Sequence, residues 1–311
     1  MTQTTHTPDY VAIDIAKASL QIQGERRSFA VDNTKSGRRK LLSYLKGLPN
    51  PLAVFEASGG YERALIECLR QADIGLVMIN PARLRDFARS EGVRAKTDPI
   101  DSKMILAFAK SKALVASKPP SEASLKLAAM MDRRDHLTSQ LACEKNRLHN
   151  SASSIHGSIK RMIAVLEKEI AALENAIAAS VETAPLLKAR FQIMASVKGV
   201  GKVTAWTLLA YFDELEALNR NQAVAMAGVA PFNRDSGKYS GKRSIQGGRA
   251  KVRKRLYMAA HTAASCNPVI SAYVSGLRQR GKPYKCAIVA AMRKLLIHIQ
   301  SLIKTAQLSP C

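Results

Sequence analysis

Acidic residues are scarce in this chain of 311 residues. Its 24 Asp and Glu stand against 48 Lys and Arg, a formal net charge of +24 at pH 7. Aromatic residues are also few, at 5%. We find neither an apolar run long enough to span a membrane nor a basic amphipathic helix with aromatic side chains, so an anionic membrane is the weaker candidate partner. Nucleic acid is the stronger one, because each phosphate that a cationic protein neutralises releases condensed counterions.

The cysteines form no CxxC pair, which argues against a zinc site and against a disulfide framework. They are scattered along the chain, at Cys68, Cys143, Cys266, Cys286 and Cys311. The first residues, MTQTTHTPDY, have no basic segment followed by an apolar one, so no signal peptide is predicted. We therefore expect a bacterial-type protein of the cytoplasm, associated with the nucleoid.

The first third of the chain predicts a mixed sheet covered by helices. Residues 9–32 form three short apolar strands, and a basic helix is expected at 35–46. Strands and helices then alternate, with strands at 52–58 and 75–80 and helices at 61–72, 81–89 and 98–112. Among folds with this order, the RNase H-like (RuvC-like) fold is the one that carries metal-binding carboxylates at its strand ends. We expect such an α/β domain over residues 1–117.

A linker at Lys118–Pro119–Pro120 precedes a segment with the spacing of long helices. Residues 121–183 contain no proline and one glycine, and their apolar side chains recur at helical, nearly heptad, intervals. Two long helices are expected over 118–185, either as an antiparallel hairpin or as a coiled coil for assembly. An ordinary helix pair within a bundle is the alternative. Residues 186–311 are expected to form a mainly α-helical C-terminal domain.

Four carboxylates in the N-terminal domain are candidate metal ligands. Asp14 and Glu56 lie at the ends of apolar strands, where a bare charge is costly unless it is paired or bound to a metal. In KTDPIDSK, Asp98 and Asp101 share one helix face at i, i+3. The alternative for this pair is a helix N-terminus that complements the macrodipole. Because all four ligands are oxygens, Mg²⁺ (or Mn²⁺) is expected and zinc is not.

A basic segment rich in serine and glycine follows residue 228. Ser236, Ser240 and Ser244 are hydroxyls on a glycine-rich backbone, and Gly247–Gly248 precede a helix whose first turn could face phosphate. A serine that attacks a phosphodiester needs such cations around it, and the alternative is a loop that grips phosphate without covalent chemistry. The cationic residues of the segment are Arg234, Lys238, Lys242, Arg243, Arg249, Lys251, Arg253, Lys254 and Arg255.

A second phosphate-binding candidate lies upstream, in SVKGVGKVTAWTLLAYF (196–212). It resembles half of a helix-hairpin-helix, with Lys198, Gly199, Gly201 and Lys202 around a tight turn. The N-terminus of the following helix would then hold a phosphate through backbone N–H groups. The alternative is a simple turn between two helices.

Together these motifs resemble a known family. VAIDIAK, FEASGGYE and KTDPIDSKMIL are similar to the N-terminal DEDD (RuvC-like) domain of the IS110 insertion-sequence transposases, whose relatives include the Piv-type site-specific invertases. KGVGKVTAWTLLA, AMAGVAPFNRDSGKYSGKRSIQGGR and VRKRLYMAA resemble that family's C-terminal transposase domain.

This resemblance implies a DNA transposase or recombinase that acts on donor and target DNA. It implies that Asp14, Glu56, Asp98 and Asp101 hold Mg²⁺, and that a serine is the covalent nucleophile. Ser236 matches that motif best, and Ser240 stays open as the other assignment. It also implies a structured non-coding guide RNA (the bridge RNA) and a homo-oligomer, a dimer or a tetramer.

Two other functions fit the same sequence. A RuvC-like nuclease or junction resolvase would use metal-bound water for the attack and leave no covalent adduct. A non-catalytic DNA- or RNA-binding protein would need neither metal nor Asp14. The strand-end positions of Asp14 and Glu56 count against the latter.

Overall fold

The computed structural model of the chain describes residues 8–92, 98–114, 116, 121–233, 241 and 243–306, and for residues 98–100 it describes the backbone alone. Internal contacts divide the chain into two compact units, Met1–Pro119 and Pro120–Cys311. Each unit has its own buried core. Arg234, Ser236, Lys238, Ser240 and Lys242 lie outside the described residues.

The first unit is a five-stranded mixed sheet with helices on both faces. The strand order is β3-β2-β1-β4-β5; β1 to β3 are antiparallel, and β4 and β5 run parallel to β1. The predicted order of strands and helices is confirmed. The elements are β1 (Asp9–Ile15), β2 (Ser19–Gln23), β3 (Ser28–Asp32), α1 (Lys35–Lys46), β4 (Pro51–Glu56), α2 (Arg63–Gln71), β5 (Gly75–Ile79), α3 (Pro81–Ser90) and α4 (Asp98–Ser111).

The central strands are buried on both faces, which explains their almost continuous apolar sequences. Val11, Ile13 and Phe55 pack with α1 and α2 on one face of the sheet. Tyr10, Ala12 and Val54 pack on the other face, and this core also contains Leu84 of α3 and the α4 side chains Ile105, Phe108 and Ala109. Every second residue of β1 and β4 therefore faces α4.

The second unit is mainly helical, as predicted, with one short strand pair that the sequence did not predict. A single 3-10 turn, Ser153–Ile155, separates its two longest helices. Its elements are α5 (Glu122–Asn150), α6 (His156–Glu182), α7 (Pro185–Ser196), α8 (Lys202–Tyr211), α9 (Arg220–Met226), β6 (Pro231–Phe232), β7 (Ser244–Ile245), α10 (Ala250–Cys266), α11 (Pro268–Gln279) and α12 (Tyr284–Thr305).

The two long helices, α5 and α6, form an antiparallel hairpin. Ion pairs join Arg134 to Glu174 and Lys145 to Glu167, each at 2.8 Å, so the partner on α6 comes earlier as the position on α5 comes later. Leu127 and Ile177 are fully buried in the core of the second unit. The part of the hairpin that contains Leu127 and Ile177 therefore packs within the C-terminal core. A separate assembly region at 118–185 and a coiled coil remain predictions.

Helix α12 corrects one expectation from the sequence, that no apolar run is long enough to span a membrane. Among the described helices, α12 is long and apolar enough to cross a membrane. The bent pair formed by Ser153–Glu182 and Pro185–Ser196 is also long and apolar enough if the two helices are counted as one span. Half of the apolar window of α12 is buried, and Ile288, Leu295 and Ile299 are fully enclosed in the core. Its hydrophobicity therefore serves internal packing.

Candidate functional site

Asp14 and Glu56 lie side by side at the carboxyl ends of two parallel strands. The register of β1 and β4 pairs Ile13 with Phe55, and one position further along each strand come Asp14 and Glu56. Residues paired across parallel strands point to the same face of a sheet. For Asp14 and Glu56 this is the face of Ala12 and Val54, against which α4 packs. Both acids are partly buried.

Helix α4 brings Asp101 to the same end of the sheet. The Tyr10 hydroxyl donates to the carbonyl oxygen of Leu114 at 3.1 Å, which fixes the end of the α4 segment beside the start of β1. The helix therefore runs against β1, and its first turn lies towards the end where Asp14 stands. Asp101 precedes buried Ile105 by one helical turn, so it lies on the α4 face that packs against the sheet.

The fourth predicted ligand, Asp98, begins α4, and its side chain lies outside the described residues. Among the side chains that the structure does describe, no three Asp, Glu, His or Cys groups are close enough to hold a metal ion. The donor set at this edge nevertheless consists of carboxylate oxygens, which suit a hard divalent cation.

A tight turn follows β4 directly after Glu56, and Glu62 organises it. The Glu62 carboxylate accepts hydrogen bonds from the Ser58 hydroxyl at 2.5 Å and from the backbone N–H of Gly60 at 2.9 Å. Gly59 and Gly60 have φ of 74° and 123°, which only glycine adopts without strain. Burial raises the pKa of Glu62, but these hydrogen bonds outweigh it and hold the pKa below its ordinary value.

The described residues on either side of the serine segment are paired in the second unit. Phe232 of β6 pairs with Ser244 of β7, and Ser236 and Ser240 lie between these two residues in the sequence. Below this pair two chain segments cross. A Cβ added at Gly248 would overlap the backbone of Gly228, and both glycines have positive φ, 64° and 70°. The glycines of AMAGVAPF and IQGGR therefore permit this crossing.

Three residues predicted to bind nucleic acid have partners within the protein. The Arg249 guanidinium donates to the Tyr211 carbonyl oxygen at 2.6 Å and pairs with Glu214. Arg253 donates to the carbonyl oxygen of Gly247. Lys202 forms an ion pair with Glu174 at 2.8 Å and lies over the Trp206 ring. These contacts stabilise the base of the serine segment and the start of α8.

The turn between α7 and α8 has the tight geometry that the sequence predicts. Gly199 has φ of 99°, and a Cβ there would overlap Ala263 of α10. The Asn267 side chain donates to the carbonyl oxygen of Lys198 at 3.1 Å, while the Lys198 side chain is exposed. Among the predicted phosphate-binding cations that the structure describes, the exposed ones are Lys198, Lys202, Arg243, Lys251 and Lys254.

Sequence reasoning missed a charged network that joins α10 to α5. Lys251 pairs with Asp132, and Arg255 pairs with Asp135. The Tyr211 hydroxyl donates to Asp132 and lies 3.1 Å from the carbonyl oxygen of Ala128. The signal in the sequence is matched spacing, two acids at i, i+3 and two bases at i, i+4. Spacing alone does not say which helices meet.

Known proteins match this chain over nearly its whole length. The model of the DEDD transposase domain of IS110 elements, described as "Transposase", matches residues 11–156, and that of the "Transposase IS116/IS110/IS902 family" matches residues 191–275. The pilin gene-inverting proteins of Moraxella lacunata and Moraxella bovis are each 26% identical over 299 residues, 92% of this chain and 93% of each relative. Membership of this DEDD transposase family implies DNA substrates and a divalent metal. The chain belongs to the IS110 family of transposases and is a DNA transposase or recombinase.

Proposed function

We propose that this transposase cuts and rejoins DNA with two sets of residues, metal-binding carboxylates in an RNase H-like (RuvC-like) first unit and a nucleophilic serine in the second. The observation that carries the proposal is the pairing of Asp14 and Glu56 at the ends of β1 and β4, with the first turn of α4 above the same face. The strand order β3-β2-β1-β4-β5 supports the RNase H-like assignment.

Asp14, Glu56, Asp98 and Asp101 are the proposed ligands of Mg²⁺ (or Mn²⁺). Such an ion, when bound, neutralises charge on the phosphate and assists departure of the leaving oxygen. Glu62 is a positioning residue in this scheme, because it holds the turn that follows Glu56. Helix α4 sets the height of Asp101 over the sheet through its packing on β1.

Ser236 is the proposed nucleophile. Its Oγ forms a bond to phosphorus as the bond from phosphorus to one backbone oxygen breaks, and the serine loses its hydroxyl proton while that oxygen gains one and leaves as a hydroxyl. The serine–phosphate ester keeps the energy of the broken bond, so attack by another DNA hydroxyl rejoins the strand and releases the serine. Arg234, Lys238, Lys242 and Arg243 neutralise the charge that develops on the phosphate.

Phosphates flanking the cut strand are assigned to the turn between α7 and α8. Lys198 is exposed there, and the backbone of Gly199 and Gly201 precedes the N-terminus of α8, which favours an anion. Lys202, Arg249 and Arg253 support these surfaces through their contacts with the protein.

Guide RNA and self-assembly complete the proposal. The resemblance to the family suggests a structured non-coding RNA that pairs with donor and target DNA. Met162 and Val165, on α6, are 51% and 56% exposed, which is typical of a helix face covered by a second copy. We assign a dimer or tetramer built on this hairpin, acting on the nucleoid in the cytoplasm.

Incubation of the protein with labelled DNA and Mg²⁺ tests the chemistry. Wild type is expected to leave a covalent protein–DNA adduct, and Ser236→Ala is expected to leave none. Ser240→Ala, the matched control in the same segment, is expected to keep the adduct. If Ser236→Ala kept the adduct and Ser240→Ala lost it, the nucleophile would be Ser240. Free 5′-phosphate ends without any adduct in wild type would identify a metal-dependent nuclease instead.

A further inference from the structure

A groove of about 700 Å³ runs between edge strand β3 and helix α1 in the first unit. Its lining includes the cations Arg27 and Lys40, the aromatic rings of Phe29 and Tyr44, and the hydroxyls of Thr34 and Ser36. Asp32 contributes the acid of the lining. None of these residues belongs to the proposed catalytic machinery. Strand β3 lies two strands away from β1, about 10 Å at the usual strand spacing.

The groove has a fixed shape. The Thr34 hydroxyl oxygen accepts from the Gly37 N–H at 3.2 Å and caps α1. Arg38 donates to the side-chain oxygen of Asn33 at 2.8 Å, and Asn33 donates to the carbonyl oxygen of Ala16 at 3.1 Å. A Cβ at Gly37 would overlap the backbone of Asp32, so the helix approaches the strand as closely as possible. A fixed site loses little conformational entropy when it binds a ligand.

The floor of the groove is an aromatic and guanidinium surface. Phe29 and Tyr44 meet edge to face with ring centroids 5.2 Å apart, and the Arg27 guanidinium lies over Phe29 at 4.9 Å. Tyr44 packs directly on Gly24, because a Cβ there would overlap its hydroxyl. Unpaired bases stack on aromatic rings and on arginine planes, and this contact tolerates any base.

Cations outnumber acids around the groove, where Asp32 is the acidic residue of the lining. Helix α1 contains Lys35, Arg38, Arg39, Lys40 and Lys46 and no acidic residue. The acid closest in sequence to Arg27, Glu25, is already paired with Lys110 at 2.6 Å. A negatively charged ligand in the groove therefore meets the cations Arg27 and Lys40 and the hydroxyl groups of Thr34 and Ser36.

We infer that this groove holds a single strand of nucleic acid, with phosphates against Arg27 and Lys40 and a base on the Phe29–Tyr44 surface. A duplex presents stacked, paired bases and leaves that surface unused. The inference rests on the proposed function, because the strand held here is either a DNA strand opened for recombination or a segment of the guide RNA. Both share the chemistry that the groove recognises.

Lysine footprinting on the full-length wild-type chain tests the inference without any substitution. The protein is acetylated in the absence of divalent metal, alone or saturated with short oligo(dT), oligo(U) or a DNA duplex, and the modified lysines are identified by mass spectrometry. We expect Lys40 to be protected by the single strands, while Lys46, on the same helix but outside the groove, is modified as before. Protection by oligo(U) alone assigns the groove to RNA, and by oligo(dT) alone to DNA.

Paired variants give a second readout. The double variant Arg27→Gln with Lys40→Gln is expected to weaken single-strand binding about tenfold. It should also lower the salt slope, the dependence of log binding constant on log salt concentration, by about 1.4, at roughly 0.7 per phosphate contact. The double variant Arg39→Gln with Lys46→Gln removes the same charge from α1, outside the groove, and is expected to change neither the affinity nor the salt slope. Equal acetylation of Lys40 and Lys46 in saturating oligonucleotide, or equal protection by duplex, overturns the inference. If wild type formed no covalent adduct through Ser236 while Lys40 was still protected, the proposed chemistry alone would be refuted.

Discussion

The Glu62 carboxylate accepts from both the hydroxyl and the backbone N–H of Ser58, so one side chain fixes the turn that begins immediately after Glu56. The exposed Tyr61 stands on this turn. Because Glu56 is the last residue of β4, movement of the turn would change the direction of its carboxylate. Glu62 therefore couples backbone geometry to the proposed metal site without being a ligand.

Glu62→Gln is expected to lower strand cleavage and to raise the Mg²⁺ concentration needed for half-maximal cleavage, each about tenfold, as for other residues that orient metal ligands. Titration of cleavage with Mg²⁺ measures both. Glu67→Gln is the matched control, since Glu67 lies on α2 and pairs with Arg70 at 2.7 Å away from the turn. If both variants showed the wild-type Mg²⁺ dependence, Glu62 would have no positioning role.

The sequence predicted the first unit well because its signals are local. Apolar strands end at Asp14 and Glu56, and strands that end together in a parallel sheet bring their last residues together. The order of elements followed from the same periodicity. Helical spacing predicted that Asp98 and Asp101 share a face of α4, and the packing of Ile105 shows that the face of Asp101 meets the sheet.

The second unit was predicted less completely because its decisive contacts are long-range. The crossing of Gly228 and Gly248 joins residues from opposite sides of the serine segment. Arg249 pairs with Glu214, and Lys202 pairs with Glu174, so two cations that were predicted to bind DNA also have partners within the protein. Charge patterns along a chain do not reveal which opposite charge folds against them, so these partners required the structure.

The ion pair between Arg134 and Glu174 is expected to stabilise the base of the α5–α6 hairpin. Their side chains are 11% and 18% exposed. Glu174→Gln leaves Arg134 without its main partner, and we expect a loss of about 2 kcal/mol in the free energy of unfolding, measured in urea. The exposed pair of Lys145 and Glu167 is the control, and Glu167→Gln is expected to cost less than about 0.5 kcal/mol. Equal losses would contradict this assignment.

The contribution of Glu174 should depend on pH. Burial raises the pKa of Glu174, but hydrogen bonds and charges from Lys202 and Arg134 outweigh it, so the pKa lies below its ordinary value of 4.5. A lowered pKa in the folded state stabilises the protein above the unfolded value and loses that effect as pH falls through the folded value. The stability difference between wild type and Glu174→Gln is therefore expected to be full at neutral pH and to shrink below pH 4.5. A constant difference down to acid pH would exclude this linkage.

The glycine crossing below the serine segment predicts two different costs for the same substitution. Gly247 and Gly248 both have positive φ, 67° and 64°, but a Cβ at Gly247 meets open space whereas one at Gly248 overlaps Gly228. Gly247→Ala is expected to cost about 1 kcal/mol of stability from backbone conformation alone. Gly248→Ala is expected to cost more and to abolish the covalent adduct. Thermal unfolding and adduct yield measure the two effects, and identical behaviour of the variants would argue against the crossing.

Lys198 and Lys202 lie at the same turn but are expected to respond differently to neutralisation. Lys198 is exposed and its backbone is held by Asn267, so Lys198→Gln should remove one phosphate contact and lower the salt slope of DNA binding by about 0.9. Lys202 is held by Glu174 and lies 5.5 Å from the centre of the Trp206 ring. Lys202→Gln should therefore leave the slope largely unchanged and reduce stability by up to about 1 kcal/mol. Binding isotherms over a range of salt concentrations, together with urea unfolding, separate the two effects. An equal loss of slope would mean that Lys202 exchanges Glu174 for a phosphate when DNA binds.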